Sequence, residues 1–330
     1  MSKTTTTAKQ LLAKAQYGKG ITIEEALVLI NSEFVTLDEL IKTATQLTLS
    51  SFGNKISMCA IYPAKVGLCS GDCAFCSQSV HHNCDVALVN VNDLNVDEIV
   101  NNAKELWSAN ISRYSLVTSG EYLTDMEFDC ICRIFNRLSN ETEIGLCASL
   151  GSLTVDRANK LKSVGVSRYH HNIETSRSYF PQICSTHNYN NKVATIDIAR
   201  QVGLEVCSGV IIALGETASQ RVEMAFALKD MDVDCIPINI LNPIAGTRLE
   251  HQPPLSPDEI LRTIAVFRLI LPHKVLRFAG GREQALGNDE YKGYAAGINS
   301  MLVGNYLTTT GKTFAEEMHN LAVAGYVPCK

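Results

Sequence analysis

Residues 56–76 read ISMCAIYPAKVGLCSGDCAFC, a short apolar run followed directly by three closely spaced cysteines. The apolar run predicts a buried strand, because its length and composition are typical of one. The thiols Cys69, Cys73 and Cys76 then fall in the loop after that strand. Because parallel α/β barrels build their active sites from such loops, this stretch predicts both the first strand and the position of the chemistry.

Strand-like and helix-like segments alternate along the rest of the chain. Further strands are predicted to begin near Ser112, Glu143, Ser167, Leu204, Asp234, Lys274 and Gly297. Helices are predicted between them, over residues 96–109, 155–163, 193–201, 219–230 and 257–271. Eight strands alternating with helices predict a parallel α/β fold, a TIM-type (β/α)8 barrel in its simplest form or else an open doubly wound sheet. Helical periodicity over residues 8–49 predicts an N-terminal helical extension (1–50) ahead of one barrel domain (51–330).

The composition limits the partners that the chain is expected to have. Of its 330 residues, 46% are hydrophobic and 19% are charged, which is typical of a globular protein. The net charge of −5 gives no electrostatic reason to expect a nucleic-acid partner. The N-terminal residues resemble neither a secretory signal nor a transit peptide, and no apolar run has membrane-spanning length. We therefore expect a cytoplasmic protein without a membrane partner.

In a reducing compartment, the twelve cysteines indicate metal ligation or catalysis more than disulfides. A zinc site normally needs a second C-x2-C pair or histidines to complete four ligands, and the triplet at Cys69, Cys73 and Cys76 has no such second pair. Three thiolates, with the aromatic Phe75 before the last, match a 4Fe-4S cluster that leaves one iron open. We therefore predict that the three cysteines are both metal ligands and catalytic residues.

This triplet resembles that of the radical S-adenosylmethionine (SAM) superfamily. There the open iron binds the amino and carboxylate groups of SAM, and an electron from the cluster cleaves SAM to give a 5'-deoxyadenosyl radical. The segment TSGE (118–121), with Gly120 and Glu121, is similar to the element that contacts the SAM amine. The segment GVIIALGE (209–216), with Gly215, is similar to the strand beside the adenosine. The resemblance thus implies SAM as a cofactor.

Within the superfamily the resemblance is closest to the biotin synthases, over roughly residues 56–326. It is carried by YHHNIETS (169–176), EVCSGVIIALGET (205–217), PINILNPIAGT (237–247) and VLRFAGGREQ (275–284). The resemblance implies sulfur insertion that converts dethiobiotin to biotin, with an auxiliary iron-sulfur cluster as the sulfur source. A hydrogenase maturase-like enzyme, a methylornithine synthase-like enzyme, a non-enzymatic iron-sulfur carrier and a zinc-stabilised structural protein remain alternatives.

The same resemblance implies roles for four polar residues. Asn172 and Glu174 would meet the SAM ribose and the substrate region, and Asn239 would contact the nucleoside and dethiobiotin. Arg277 would face the auxiliary cluster. The alternatives are that Asn172 only satisfies backbone groups, that Glu174 caps a turn and that Arg277 forms an internal salt bridge.

The predicted auxiliary site departs from the family pattern. The best-known biotin synthases hold a 2Fe-2S cluster with cysteines on the second, third and fifth strands and an arginine. Cys147 and Cys207 match two of these positions, but the second-strand position is Ser115. Serine is a poorer iron ligand than thiolate. We therefore predict that Cys184, in the loop after the fourth strand, joins Cys147 and Cys207 around an auxiliary cluster, either 2Fe-2S or a 4Fe type with an extra sulfide.

The remaining cysteines and the partners complete the predictions. We interpret Cys59, Cys130, Cys132, Cys235 and Cys329 as structural or incidental, and leave Cys84 open. The resemblance implies a homodimer, an electron donor such as flavodoxin or ferredoxin, and iron-sulfur assembly proteins that load the clusters.

Overall fold

The computed structural model describes residues 3–18, 20–31, 33–307 and 311–330, and the side chains within these ranges from residue 8 onward. The strands are β1 (Lys55–Lys65), β2 (Arg113–Thr118), β3 (Gly145–Ser149), β4 (Val166–His170), β5 (Glu205–Cys207), β6 (Val210–Ile212), β7 (Cys235–Ile240), β8 (Val275–Phe278), β9 (Ser300–Leu302) and β10 (Val327–Cys329). The helices are α1 (Lys3–Ala15), α2 (Ile23–Asn31), α3 (Leu37–Phe52), α4 (Val96–Ser108), α5 (Asp125–Glu141), α6 (Val155–Ser163), α7 (Phe180–Ile183), α8 (Tyr189–Gln201), α9 (Ala218–Asp230), α10 (Pro257–Ile270), α11 (Arg282–Leu286), α12 (Glu290–Ala295) and α13 (Phe314–Val323).

The strands form a closed parallel barrel. Each strand from β1 to β9 follows the chain order around the barrel, and β1 pairs with both β2 and β9, which closes the sheet. β5 and β6 together occupy the fifth of eight positions, and β10 extends the sheet by pairing with the start of β1. The predicted TIM-type barrel is therefore confirmed, and the open doubly wound alternative is wrong.

The fifth barrel position is divided because the chain passes very close to its neighbour there. A Cβ atom on Gly209 would lie 2.0 Å from the carbonyl oxygen of Pro237 in β7. Only glycine permits this approach. The run predicted as one strand from Leu204 onward is consequently two short strands, with Ser208 and Gly209 between them.

The N-terminal helices pack against the outside of the barrel and share its hydrophobic core. α3 begins with a capping box, in which Thr36 accepts a hydrogen bond from the Glu39 amide and the Glu39 side chain returns to the Thr36 amide. Arg262 of α10 donates to the carbonyl oxygens of Leu29 and Val35 and so ties the extension to the barrel. The predicted helical extension is confirmed, while the division of the chain at residue 50 stays a prediction.

At the amino-terminal end of the barrel, Arg268 is fully buried and bonds to backbone. Its guanidinium donates to the carbonyl oxygens of Gly297, Leu271, Pro272 and Lys274 at 2.6–3.2 Å. Burial lowers the pKa of Arg268 to about 9.

The opposite end of the barrel, where the strands end, carries the cysteine loop. Among the described residues, no helix is both long enough and apolar enough to cross a membrane.

Candidate active site

The three predicted cluster cysteines lie together on the loop that follows β1. The backbone amide of Cys76 donates to the Cys73 carbonyl (2.9 Å), and the amide of Val80 donates to the Cys69 carbonyl (2.9 Å), so the loop folds back on itself. All three thiols are partly exposed at the barrel mouth. Phe75 precedes the last of them and lines the cavity below.

The sulfur of Cys69 has more hydrogen-bond donors around it than those of the other two. The Gly71 amide lies 3.4 Å from Cys69 Sγ, and the Gly120 amide and the His187 side chain also reach it. The hydrogen bond from His187 lowers the pKa of the Cys69 thiol, with further lowering by the two amides. This environment favours the thiolate, the form that binds iron. The glycine of TSGE thus lies beside the cysteine loop.

Cys184 lies beside the cysteine loop and not with Cys147 and Cys207. Its Sγ is 3.7 Å from Cys73 Sγ and 3.1 Å from an oxygen of Asp72. The ligand atoms of Cys73, Cys184 and His187 all lie within 4.8 Å of one another. The structure therefore does not bring Cys184 together with Cys147 and Cys207, because the segment after α7 folds back onto the cysteine loop. The ligand set of the auxiliary cluster stays a prediction.

A cavity of about 460 Å³ extends from the cysteine loop into the barrel. Among the predicted site residues, its walls include Phe75, Cys76, Gly120, Cys147, Asn172, Glu174, Cys207, Asn239 and Arg277. Cys69, Cys73, Glu121 and Cys184 lie behind this wall, around the cysteine loop. Gly215 lies against the Tyr179 hydroxyl, which a Cβ atom would approach to 2.6 Å. Apart from Gly215, the predicted residues line this cavity or lie around the cysteine loop.

The amide side chains of Asn172 and Asn239 brace the strand ends while facing the cavity. Asn172 Oδ1 accepts from the Gly209 amide (2.9 Å), and its amide nitrogen donates to Glu174 (3.3 Å). Asn239 donates to the Val210 carbonyl (3.2 Å) and accepts from the Gly280 amide (3.0 Å). The backbone role proposed as the alternative for Asn172 is therefore present, together with its position in the cavity wall.

Glu174 and Lys192 bring opposite charges to the cavity. Glu174 has a left-handed backbone (φ 68°), which is strained for a residue with a side chain and is most often kept at functional sites. Lys192 Nζ lies 3.8 Å from Glu174 and donates to the Asn172 carbonyl (3.3 Å). Lys192 is not among the residues predicted from the sequence, because a lysine within a helix carries no signal that distinguishes it from a solvent-exposed one.

Deeper in the barrel, the charge of Arg277 interacts electrostatically with four thiols: Cys59, Cys147, Cys207 and Cys235. All four are buried. Strand register brings them together, since Cys207 pairs directly with Cys235 and Cys147 lies across from Ser115. Cys59 and Cys235, interpreted from the sequence as structural or incidental, thus lie in the same buried region as Cys147 and Cys207. We call Arg277 and these four thiols the thiol chamber.

Arg277 carries a buried positive charge, and the groups that interact with it are thiols. Its Nη1 lies 3.6 Å from Cys207 Sγ, and its Nε donates to the Ser300 hydroxyl (3.1 Å). Burial opposes the charge, but the thiols of Cys235, Cys59, Cys207 and Cys147 raise the pKa of the guanidinium. Within the described ranges Arg277 has no salt bridge to a carboxylate, so the internal salt bridge considered as its alternative is not found there. A buried guanidinium without such a partner favours an anion nearby.

The neighbouring groups also favour a negative charge on Cys207. Burial alone would raise the pKa of this thiol, but the hydrogen bond from Cys235 and the charges of Arg277 and Arg168 lower it. Arg168 is itself neutralised on its other side by Glu205 (2.7 Å). His170 Nδ1 lies 3.3 Å from Cys207 Sγ, and burial lowers the pKa of His170 to about 4, which keeps its ring neutral.

Three hydroxyl groups in this region have no hydrogen-bond partner among the described residues: those of Ser115, Thr118 and Ser208. Buried polar groups are normally paired, and unpaired ones mark places where a ligand or water belongs.

Cys130 and Cys132 lie on α5 outside the barrel, and Cys84 donates to the Ala245 carbonyl (3.3 Å). These three thiols stay apart from the chamber.

Three thiols on one loop at the mouth of a parallel barrel, above a cavity with further buried thiols, are the arrangement of a radical SAM enzyme. In agreement, a model described as "Radical SAM superfamily" matches residues 66–228, and one described as "Biotin and Thiamin Synthesis associated domain" matches residues 237–327. The biotin synthase of Acetivibrio thermocellus is 46% identical over 312 residues, covering 94% of this chain and 96% of the relative. That of Caldicellulosiruptor bescii is 47% identical, covering 93% and 90%. The chain therefore belongs to the biotin synthase family and is a radical SAM sulfurtransferase.

Solved structures agree on the fold. A crystal structure of a maturase of the [FeFe]-hydrogenase has a TM-score of 0.83 at 21% identity, covering 98% of this chain and 76% of that one. Methylornithine synthase has a TM-score of 0.83 at 17% identity, covering 97% of both chains. At these low identities the likenesses show the fold alone, whereas the 46–47% identity to biotin synthases extends over nearly the whole sequence. Membership of the biotin synthase family therefore favours the predicted biotin synthase activity over the hydrogenase maturase-like and methylornithine synthase-like alternatives.

The residues fit the groups that this family implies, a 4Fe-4S cluster and SAM. The donor set of Cys69, Cys73 and Cys76 is made of thiols only, the ligands that iron-sulfur clusters use. The cavity below offers an ammonium at Lys192, a carboxylate at Glu174 and unpaired hydroxyls, which suit a zwitterionic nucleoside.

Proposed function

We propose that this chain converts dethiobiotin to biotin with Cys69, Cys73 and Cys76 as the ligands of its 4Fe-4S cluster and with sulfur from an auxiliary cluster in the thiol chamber. The observation that carries the proposal is that one cavity connects the cysteine loop to Arg277 and its thiols. When bound, the cluster and SAM supply the radical that removes hydrogen from carbon. The chain has to hold SAM, substrate and sulfur source in line and to exclude water.

The charged residues near the mouth are suited to the amino-acid part of SAM. We assign the carboxylate of SAM to Lys192, the only ammonium group on the cavity wall as the structure describes it. Glu121 and the Gly120 backbone are assigned to the SAM amine. Glu174 would accept hydrogen bonds from the ribose hydroxyls, since its carboxylate already lies 3.3 Å from the Asn172 amide.

The neutral amides are suited to the region where hydrogen is abstracted. Asn172 and Asn239 each keep one hydrogen bond to the backbone of β6 or its approach, which fixes their orientation. Such fixed groups align the reacting carbon without adding charge near a radical, and alignment is what this step needs. Phe75 lines the same space and helps to exclude water.

For the auxiliary cluster we propose ligands from Cys59, Cys147, Cys207 and Cys235, with Arg277 as their charged neighbour. This set replaces the predicted one that contained Cys184. Four thiols are enough for either cluster type, a 2Fe-2S cluster or a 4Fe type with an extra sulfide. The charge of Arg277 would stabilise an anionic cluster or sulfide in a place where burial otherwise disfavours charge.

The proposed reaction also requires partner proteins. We propose an electron donor such as flavodoxin or ferredoxin, since radical SAM chemistry consumes an electron for each SAM cleaved. Iron-sulfur assembly proteins would load both clusters. A homodimer and a cytoplasmic location are proposed from the family resemblance and the composition.

The test is anaerobic incubation of the reconstituted protein with SAM, dithionite and dethiobiotin. We expect 5'-deoxyadenosine, methionine and biotin. 5'-Deoxyadenosine without biotin would favour a relative with a different substrate, and no 5'-deoxyadenosine would favour an iron-sulfur carrier. Cys69→Ala should abolish SAM cleavage, whereas Cys130→Ala, on the outer helix α5, should leave it unchanged and serves as the matched control.

A further inference from the structure

The active-site cavity has an apolar wall. It is formed by side chains of β1, β2 and β9 and of the segment after β9, namely Ile61, Val117, Leu302, Tyr306 and Leu307. Dethiobiotin consists of a polar ureido ring and an alkanoic acid tail that is mostly apolar. The amides proposed above suit the ring, so the apolar wall is available for the tail, which is stabilised there by leaving water.

This wall contains a gap between β1 and β9. β1 continues to Lys65, but β9 pairs only with its residues 57–59. The Val303 amide still donates to the Cys59 carbonyl (2.9 Å), and the chain then turns at Gly304, which has a φ of 79°. Beyond Cys59, β1 therefore has no strand partner on this side within the described residues.

A second cavity, of about 950 Å³, lies outside the barrel at this gap, between β1, α4 and the segment after β9. We call it the outer cavity. Ile61 and Tyr306 line both cavities, and no other described residue does. Glu98 and Glu105 of α4 bring carboxylates to the outer cavity, whose described wall has no lysine, arginine or histidine side chain. The outer cavity therefore suits a neutral or cationic group better than a second carboxylate.

The Tyr306 ring is fixed in its position between the two cavities. Its hydroxyl donates to Glu283 Oε1 (2.6 Å), and the same oxygen lies 3.5 Å from the buried guanidinium of Arg282. Cβ atoms on Gly280 and Gly311 would lie 3.8 and 3.3 Å from the ring, so the backbone approaches it at both glycines. A hydrogen bond and close packing together hold the ring.

We propose that Tyr306 is a specificity-determining residue, whose ring closes the gap toward the outer cavity and so limits the length of the substrate tail. The inference rests on the proposed function, which supplies the substrate. Without the ring, the active-site cavity opens into the outer cavity, and a tail that is extended through an amide bond has room. An extension that ends in an amine is favoured by the carboxylates of Glu98 and Glu105.

Three ligands probe the gap. They are dethiobiotin, its amide with cadaverine, which ends in a cation, and its amide with pentylamine, which is neutral and of nearly the same length. Anaerobic isothermal titration calorimetry measures the dissociation constant of each ligand in the reconstituted holoenzyme with SAM. A single turnover followed by mass spectrometry shows whether sulfur enters each ligand.

Four variants accompany the wild-type protein. Tyr306→Ala and Ile61→Ala widen the gap from its two sides. Tyr306→Phe keeps the ring and removes only the hydroxyl. Tyr291→Ala removes an exposed tyrosine of α12 that lines neither cavity, and it is the matched control.

The expected result is a change in the preference between acid and amide. Wild-type protein should bind the cadaverine amide about tenfold or more weakly than dethiobiotin, because the ring blocks the extension. Tyr306→Ala should reduce this ratio of dissociation constants about tenfold, and Ile61→Ala should change it in the same direction. The pentylamine amide should gain less than the cadaverine amide. Tyr306→Phe and Tyr291→Ala should keep the wild-type ratio.

Equal binding of dethiobiotin and the cadaverine amide by the wild-type protein would overturn the proposal. So would a wild-type ratio in both widened variants, or admission of the amide by Tyr306→Phe. Equal gains for the two amides would contradict the role of the outer carboxylates. If circular dichroism shows that Tyr306→Ala is unfolded, Ile61→Ala decides. A wild-type protein that neither binds nor converts dethiobiotin would instead count against the proposed function.

Discussion

Arg277 Nη1 lies 3.6 Å from Cys207 Sγ in the interior of the barrel, where both side chains are buried. A guanidinium in this position needs negative charge nearby, and the thiols of Cys235, Cys59, Cys207 and Cys147 raise its pKa. The pair therefore locates the auxiliary site more directly than the cysteine count does.

Arg277→Met should remove the auxiliary cluster and leave the SAM cluster. The thiols would lose the charge that favours their anionic forms, while the cysteine loop at the mouth is untouched. Iron content should fall by about half if both clusters are of the 4Fe type, and biotin formation should be lost. SAM cleavage should persist. Unchanged iron and unchanged biotin formation in this variant would contradict the assignment.

Cys147 and Ser115 lie directly across from each other on β3 and β2, which makes them a matched pair. Cys147→Ala should lower auxiliary iron and abolish biotin formation, because it removes a thiol ligand. Ser115→Ala should change neither, since the Ser115 hydroxyl makes no hydrogen bond within the described structure. The measurements are iron and sulfide quantitation and single-turnover biotin yield. Loss of iron in Ser115→Ala would mean that serine is a ligand after all.

Cys184→Ala should retain the auxiliary cluster, whereas Cys59→Ala and Cys235→Ala should each reduce it. Cys184 lies beside the cysteine loop, with its Sγ 3.7 Å from that of Cys73, while the other two thiols interact electrostatically with Arg277. Mössbauer spectra of the three variants distinguish the clusters. The opposite pattern would restore the ligand set predicted from the sequence.

Arg268→Met should destabilise the apoprotein by about 3 kcal/mol or more, because it leaves several buried carbonyl groups without a donor. Arg133, exposed on α5, provides the control, since Arg133→Met should be close to neutral. The free energy of unfolding from urea denaturation measures both. Equal stability of the two variants would show that water replaces the Arg268 hydrogen bonds.

The sequence predicted the barrel well because strand and helix periodicities differ strongly and alternate regularly. It did not predict that Cys184 lies beside the cysteine loop, because this position depends on the hydrogen bonds that the Ser185 and Thr186 amides donate to Asp72, which no local pattern reveals. Cys235 was also predicted to be structural or incidental, although the alternation of side chains along its strand indicated otherwise. Side chains two and four residues apart share one face of a strand, so the assignment of Asn239 to the cavity already implied the same side for Pro237 and Cys235. The contact of Arg277 with Cys207 joins β8 to β5 and needed the closed barrel to appear.

The central claim is that the sulfur of biotin comes from the cluster in the thiol chamber. The most direct measurement reconstitutes the apoprotein with iron and 34S-sulfide, removes free sulfide and runs a single turnover with SAM, dithionite and dethiobiotin. Mass spectrometry should find 34S in the biotin, and Arg277→Met should give 5'-deoxyadenosine without labelled biotin. Unlabelled biotin from the wild-type protein would contradict the account.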